Sequence, residues 1–129
     1  MYKPVSEEED RIGREIVNAA YKVHTELGPG LLEKVYEVCF CHVLKQKGFD
    51  IKRQIDIPIV FDGIIFEEGL RLDVIVNDLV IVELKALENV NSVWEAQLPS
   101  HLKLTNKRPG YLININVPLI KNGIKRMTI

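Results

Sequence analysis

The chain has only two cysteines in 129 residues, Cys39 and Cys41, set two apart in the apolar stretch Val38-Cys39-Phe40-Cys41. On a helix, positions i and i+2 point in different directions, which argues against a disulfide or a shared metal. They read as small helix residues kept reduced. No apolar run approaches the roughly 18–20 residues of a membrane span. The N-terminus carries an acidic cluster and no apolar signal-peptide region, so the expected place is the cytoplasm, with no membrane partner. There is no glycine-rich phosphate loop, no CxxC pair and no HExxH, and Gly28-Pro29-Gly30 is too short and wrongly placed for a nucleotide fingerprint. No internal repeat, low-complexity tract or linker stands out, and the length suits a single domain over 1–129. Acid is also missing from the end of the chain. Residues 101–129 hold six Lys and Arg and no Asp or Glu, whereas residues 1–100 hold 11 basic and 18 acidic residues. That asymmetry suits an anionic partner on one side, and equally a solvated basic edge.

What is present divides into helices and strands. Ser6 before Glu7-Glu8-Glu9 is a helix start, with a capping box closed by Glu9. Apolar residues from Ile12 to Leu27 then recur at helical spacing until Gly28-Pro29-Gly30 breaks the pattern. A second helix is expected from Leu31 to Lys47, ended by Gly48. Ile51 to Phe61 alternates as a strand, and Pro58 within it points to an edge position or a bulge. Asp62-Gly63 is a hairpin turn signal. A third helix is expected from Asn91 or Ser92 to Thr105, with a kink or break near Leu98 because of Pro99. Strands at Tyr111–Val117 and Ile124–Thr128 flank a turn at Asn122-Gly123. The order is ααβββαββ, an α/β domain with a mixed central sheet flanked by helices.

The stretch Leu70-Arg71-Leu72-Asp73-Val74-Ile75-Val76 and Leu79-Val80-Ile81-Val82-Glu83-Leu84-Lys85 reads as a hairpin of β-branched runs around Asn77-Asp78. Charges in such strands need a partner, a metal or a chemical role, because burying an unpaired charge costs several kcal/mol. A two-residue loop would put Asp73 opposite Val82, with Glu83 on the other face. An odd loop centred on Asp78 pairs Val76 with Val80 and Asp73 with Glu83, so that Asp73, Glu83 and Lys85 converge. Carboxylates that close repel unless a cation lies between them, and a hard divalent ion such as Mg²⁺ is the natural solution. The odd loop is the expectation. A purely structural hairpin, its charges paired with each other, is the bland reading.

Other polar residues have ordinary explanations taken singly. Glu33 complements a helix dipole, and Tyr36, three residues on, is most simply packing. Gln97 and His101 share a helix face at i and i+4, either as a surface pair or as groups aimed at the carboxylates.

Taken together, these residues resemble the PD-(D/E)XK nuclease superfamily, with its restriction-endonuclease-like core, and within it the small GxxExxY family. The naming motif stands as Gly30-Leu31-Leu32-Glu33-Lys34-Val35-Tyr36, and the nuclease core as Asp73 with Glu83-Leu84-Lys85. Glu95-Ala96-Gln97 and Leu102-Lys103-Leu104-Thr105 match a downstream helix rich in Glu, Gln, Tyr and Leu. The segment from Leu112 to Arg126 is similar to the family's C-terminal strands. Two departures are His101, where related nucleases often carry tyrosine, and Pro99 beside it. The resemblance implies metal-dependent phosphodiester hydrolysis of nucleic acid, with DNA the expected substrate. Asp73, Glu83, the Leu84 carbonyl and Glu33 would hold Mg²⁺ or Mn²⁺, and Lys85 and Gln97 would assist. Tyr36, His101, Lys103, Lys107 and Arg108 would contact nucleic acid. A homo-oligomer or a protein partner would supply specificity. The competing expectation is a non-catalytic binding or assembly module that keeps the fold.

Overall fold

The computed structural model of the chain describes residues 5–87, 92–107 and 109–128. Its elements are α1 (Glu7–Leu27), α2 (Glu33–Gln46), β1 (Ile51–Phe61), β2 (Ile64–Val76), β3 (Val80–Lys85), α3 (Ser92–Thr105), β4 (Pro109–Asn114) and β5 (Ile124–Thr128), with a short 3₁₀ turn at Ile120–Asn122. The order is the expected ααβββαββ. The five strands lie in chain order across one sheet, β1-β2-β3-β4-β5. Only β3 and β4 run parallel, so α3 is the crossover between them.

α1 begins as its sequence predicts. The Ser6 side chain accepts from the Glu9 amide, and the Glu9 carboxylate accepts from the Ser6 amide. Ile12, Ile16, Ala19, Ala20 and Val23 form its buried stripe. They join Phe40, Cys41 and Leu44 of α2 and Val74, Val82, Leu84 and Ile113 of the sheet in the larger core. A smaller core under α3 holds Leu98 and Leu102 with Leu72, Ile75, Ile81 and Leu112. α3 runs on through Pro99 without ending, so the expected break is absent. Leu98 and Leu102 are both fully buried and anchor the helix on either side of the proline. Each such side chain contributes roughly 1.5–3 kcal/mol, enough to offset a lost helical hydrogen bond. Among the described residues no helix is long and apolar enough to cross a membrane.

β1 is an edge strand, and its register with β2 shifts between Ile57 and Ile59, so Pro58 sits at both of the positions its sequence allows. Gly69 lies opposite. A Cβ there would stand 2.0 Å from the Ile57 carbonyl oxygen, so only glycine fits the bulge. β4 ends at Asn114, three residues short of the expected Val117. Beyond Asn114 the backbone turns away, and the Asn114 side chain accepts from the amides of Leu87 and Asn116.

Gly13 of α1 packs against Tyr111 of β4 so closely that a Cβ would lie 2.1 Å from the Tyr111 hydroxyl. Gly13→Ala is therefore expected to destabilise the protein by about 1–3 kcal/mol through overpacking. Tyr111→Phe in the same chain should recover most of that loss, because the clash is with the hydroxyl. A double-mutant cycle by urea denaturation measures the coupling.

Candidate functional site

The hairpin between β2 and β3 has the odd loop. Val76 pairs with Val80, Ile75 with Ile81 and Val74 with Val82. Continued by one step, this register brings Asp73 opposite Glu83. The ladder instead opens there, and the Asp73 carboxylate accepts from the Leu84 amide at 2.9 Å. The opening has a cause on the neighbouring strand. Gln54, the residue of β1 that would oppose Asp73, has φ +50°, a left-handed conformation rare for a side-chain-bearing residue. On one side of this point Ile51 packs into the larger core with Val74 and Val76, and on the other Ile55 and Ile57 pack into the smaller one with Leu72. The β1–β2 ribbon thus turns over at Gln54 and Asp73, which frees the Asp73 carboxylate from the regular pleat.

Electrostatics at the opening are unfavourable for two charges. Asp73 is pushed up to about 7, first by burial, then by the charge of Glu83 and a side-chain hydrogen bond with it. The Leu84 amide and the Lys85 ammonium oppose the shift but do not cancel it. Glu83 itself is only 2% exposed. Its Oε1 lies 2.7 Å from Nδ1 of His101, which is also buried, on α3. This ion-pair geometry holds one carboxylate oxygen and leaves Oε2 for another partner. Lys85, half-buried and two residues on, shares the Glu83 face by strand alternation.

Glu33 opens α2 and is exposed as a residue, yet its carboxyl lies above the ordinary range. Loss of solvent is the first cause, Lys85 pulls the other way, and Glu37 and Glu83 add to the rise. The Gly30 and Tyr36 of its motif explain its placement. Gly30 takes φ +102°, and the buried Tyr36 hydroxyl donates to the Gly28 carbonyl at 2.6 Å while accepting from the Leu31 amide at 2.9 Å. Tyr36 thus closes the turn that launches α2 beside the hairpin.

A second polar network adjoins Glu33. Glu37, 4% exposed, accepts from Arg53 Nη2 at 2.7 Å and from the Gln54 side-chain Nε2 at 2.7 Å. Glu33, Lys34, Glu37, Arg53 and Gln54 line a depression of about 370 Å³. Pairing fully accounts for Glu37, since Arg53 also reaches it through Nε at 3.1 Å.

Several sequence expectations are corrected here. His101 and Tyr36, expected to touch nucleic acid, are buried, one spent on Glu83 and the other on the Gly28 turn. Gln97 is exposed and makes no described hydrogen bond to the carboxylates, so α3 turns His101 inward and Gln97 outward. The two lie one turn apart, but the sheet covers only the face that carries Leu98, His101 and Leu102. Lys103 is exposed, Lys107 lies 3.6 Å from Asp78, and Arg108 falls outside the described residues. Reasoning from sequence missed His101 as the partner of Glu83, Asn114 as the clamp on Leu87, and the Glu37–Arg53–Gln54 network. Only the Gln97–His101 spacing hinted at the first.

The donor set limits what cation could bind. Among the described residues no three His, Cys, Asp or Glu side chains form a group able to hold a metal ion. Glu33 therefore does not complete a cluster of three side chains. The two carboxylates at the hairpin opening do fit a hard divalent ion of the kind that takes one or two carboxylates and fills its remaining positions with water and phosphate. The raised Asp73 is the observation that favours it, since a cation between the carboxylates would relieve their repulsion.

Among the curated proteins and among the solved structures nothing matches this chain significantly. Comparison with protein families does match, over residues 10–127, which is almost the whole chain and includes Glu33, Asp73, Glu83, Lys85 and His101. The mixed sheet flanked by helices is consistent with a restriction-endonuclease-like fold, and the chain belongs to the PD-(D/E)XK nuclease superfamily.

Proposed function

We propose that this domain is a metal-dependent phosphodiesterase that hydrolyses DNA, and that it lies in the GxxExxY branch of its superfamily. The observation that carries the reading is the Asp73–Glu83 pair. Two carboxylates meet where the ladder opens, one of them pushed up to about 7, with the Lys85 ammonium two residues along β3 from Glu83. A purely structural pair would be cheaper with one acid replaced by an amide.

Asp73, Glu83 and the Leu84 carbonyl would hold Mg²⁺ or Mn²⁺, which when bound supplies Lewis acidity and charge neutralisation at the phosphate. Lys85 donates from its ammonium to the scissile phosphate or to the attacking water, on the side where negative charge develops. His101 fixes the Glu83 carboxylate in one orientation through the 2.7 Å contact, so no reorganisation is needed when substrate arrives. Glu33, at the start of α2, acts through water rather than by direct ligation. Gln97 faces solvent, where it can meet a phosphate of the bound strand. Lys103, Lys107 and Arg108 belong to the acid-free C-terminal stretch and would follow the nucleic-acid backbone.

One observation favours a second reading, a non-catalytic nucleic-acid-binding or assembly module. Glu83 is nearly inaccessible and already has a partner, so the hairpin acids can satisfy one another. Cleavage of single- and double-stranded DNA with Mg²⁺ or Mn²⁺ separates the two. Under the catalytic reading Lys85→Ala lowers the rate by about 10²–10³-fold with substrate affinity nearly kept. Binding without turnover in the parent chain, at every metal concentration tried, selects the module.

A further inference from the structure

The β1–β2 hairpin extends past the rest of the sheet, and its outer half is apolar on a face that remains exposed among the described residues. β3 pairs with β2 only from Val74 to Val76, whereas the β1 pairing continues out to Phe61 and Ile64. Beyond the turnover at Gln54, the ribbon face that includes Ile55 and Ile57 packs on the smaller core under α3. Alternation keeps Ile59 and Phe61 on that face. Their cross-strand partners are Phe66 and Ile64, so the pattern of a buried ribbon persists outward beyond the helix that buries its base. Phe61 is 69% exposed, Ile64 56% and Phe66 39%. No charged residue lies among these positions. The opposite face is mixed: Val60 and Ile65 are paired and exposed there, with the Asp56–Arg71 ion pair next along the ribbon.

The partner can be narrowed by chemistry. Residues 54–70 contain four acids and no base, which disfavours a polyphosphate backbone. The paired positions Ile55, Ile57, Ile59, Phe61, Ile64, Phe66 and Leu70 offer neither charge nor side-chain hydrogen bonds, so their occupant must present a flat apolar surface of similar size. Pro58 and the Gly69 bulge interrupt the strand edges, which opposes edge-to-edge extension and leaves face-to-face packing. A second copy supplies such a face by symmetry. The accessible parts of Phe61, Ile64 and Phe66, with the half-buried Ile57, Ile59 and Leu70, come to on the order of 400–500 Å² per copy. Two copies would bury on the order of 800–1,000 Å², below stable interfaces and in the range of weak, transient ones.

We propose that this chain forms a weak two-fold dimer through the apolar face of its β1–β2 arm, centred on Phe61, Ile64 and Phe66. The dimer does not rest on the hydrolytic reading, and its test needs no activity. Sedimentation or light scattering of the full chain between about 1 and about 100 µM should show a monomer–dimer equilibrium with micromolar dissociation constant. Phe61→Glu should weaken it by about 100-fold or more while circular dichroism and melting temperature stay unchanged, because the side chain is exposed. Ile64→Glu should do the same and stands in if the first variant fails to fold. Val60→Glu, an equally exposed change on the other face, should leave the dimer intact. A parent chain that stays monomeric throughout this range overturns the proposal, and so does a dimer that survives Phe61→Glu and Ile64→Glu or is lost equally with Val60→Glu.

Discussion

Asp73→Asn is expected to abolish metal-dependent cleavage, by about 10³-fold or more, and at the same time to stabilise the metal-free protein at pH 8. The second effect follows from the raised carboxyl. An acid whose folded-state value is about 7, against an ordinary 3.8, holds its proton more tightly in the folded chain than in the unfolded one. The folded state is therefore favoured at low pH, loses stability as pH rises from about 4 to about 7, and stays at the reduced level above that. Asp73 is half-buried, so solvent screening brings the loss down to on the order of 1–2 kcal/mol. Asparagine removes the charge and keeps an oxygen for the Leu84 amide, whose bond to Asp73 is 2.9 Å. Urea melts in EDTA at pH 5 and pH 8 give the sign directly. Mn²⁺ should restore stability to the parent at pH 8 and do nothing for the variant. If Asp73→Asn is less stable than the parent at pH 8 without metal, the repulsion between Asp73 and Glu83 is not the dominant force at the hairpin.

His101→Ala should cost about 3 kcal/mol of stability or more, because it leaves Glu83 buried with its principal partner gone. Glu83 is 2% exposed and sits under α3, so water has little access to replace the imidazole. Any hydrolytic rate should fall by roughly 10–100-fold, the usual effect of removing the group that orients a metal ligand. His101→Gln keeps a donor near Oε1 and should recover part of both losses. Thermal melts, together with Mn²⁺ titration of the two variants, separate the roles. A merely structural histidine would lose stability without any change in Mn²⁺ affinity once folded.

These two residues also mark how far sequence reaches. Asp73, Glu83 and Lys85 were legible because charges in β-branched strands are energetically anomalous, and the odd loop around Asp78 followed from asking which register brings the acids together. The capping box at Ser6, the two-helix start and the edge position of Pro58 were legible for a similar reason, since each is set by contacts within a few residues. His101 was visible only as a polar residue at i+4 from Gln97, and the reading that aims both at the carboxylates holds for His101 but not for Gln97. Which of two polar residues one turn apart faces the sheet depends on the rotation of α3, and Leu98 and Leu102 set that rotation through their packing on Leu72, Ile81 and Leu112.

The sequence by itself determined the order of elements, the hairpin register and the identity of the charged trio, because local periodicity and the cost of burying charge act within one or two adjacent segments. Only the tertiary structure decided that Tyr36 braces a turn, that Glu37 belongs to Arg53 and Gln54, that Glu83 takes His101, and that the β1–β2 arm carries an apolar face past its covering helix. Those outcomes depend on how helices rotate onto a sheet and where a ribbon turns over, which are long-range packing choices that no single stretch of chain encodes.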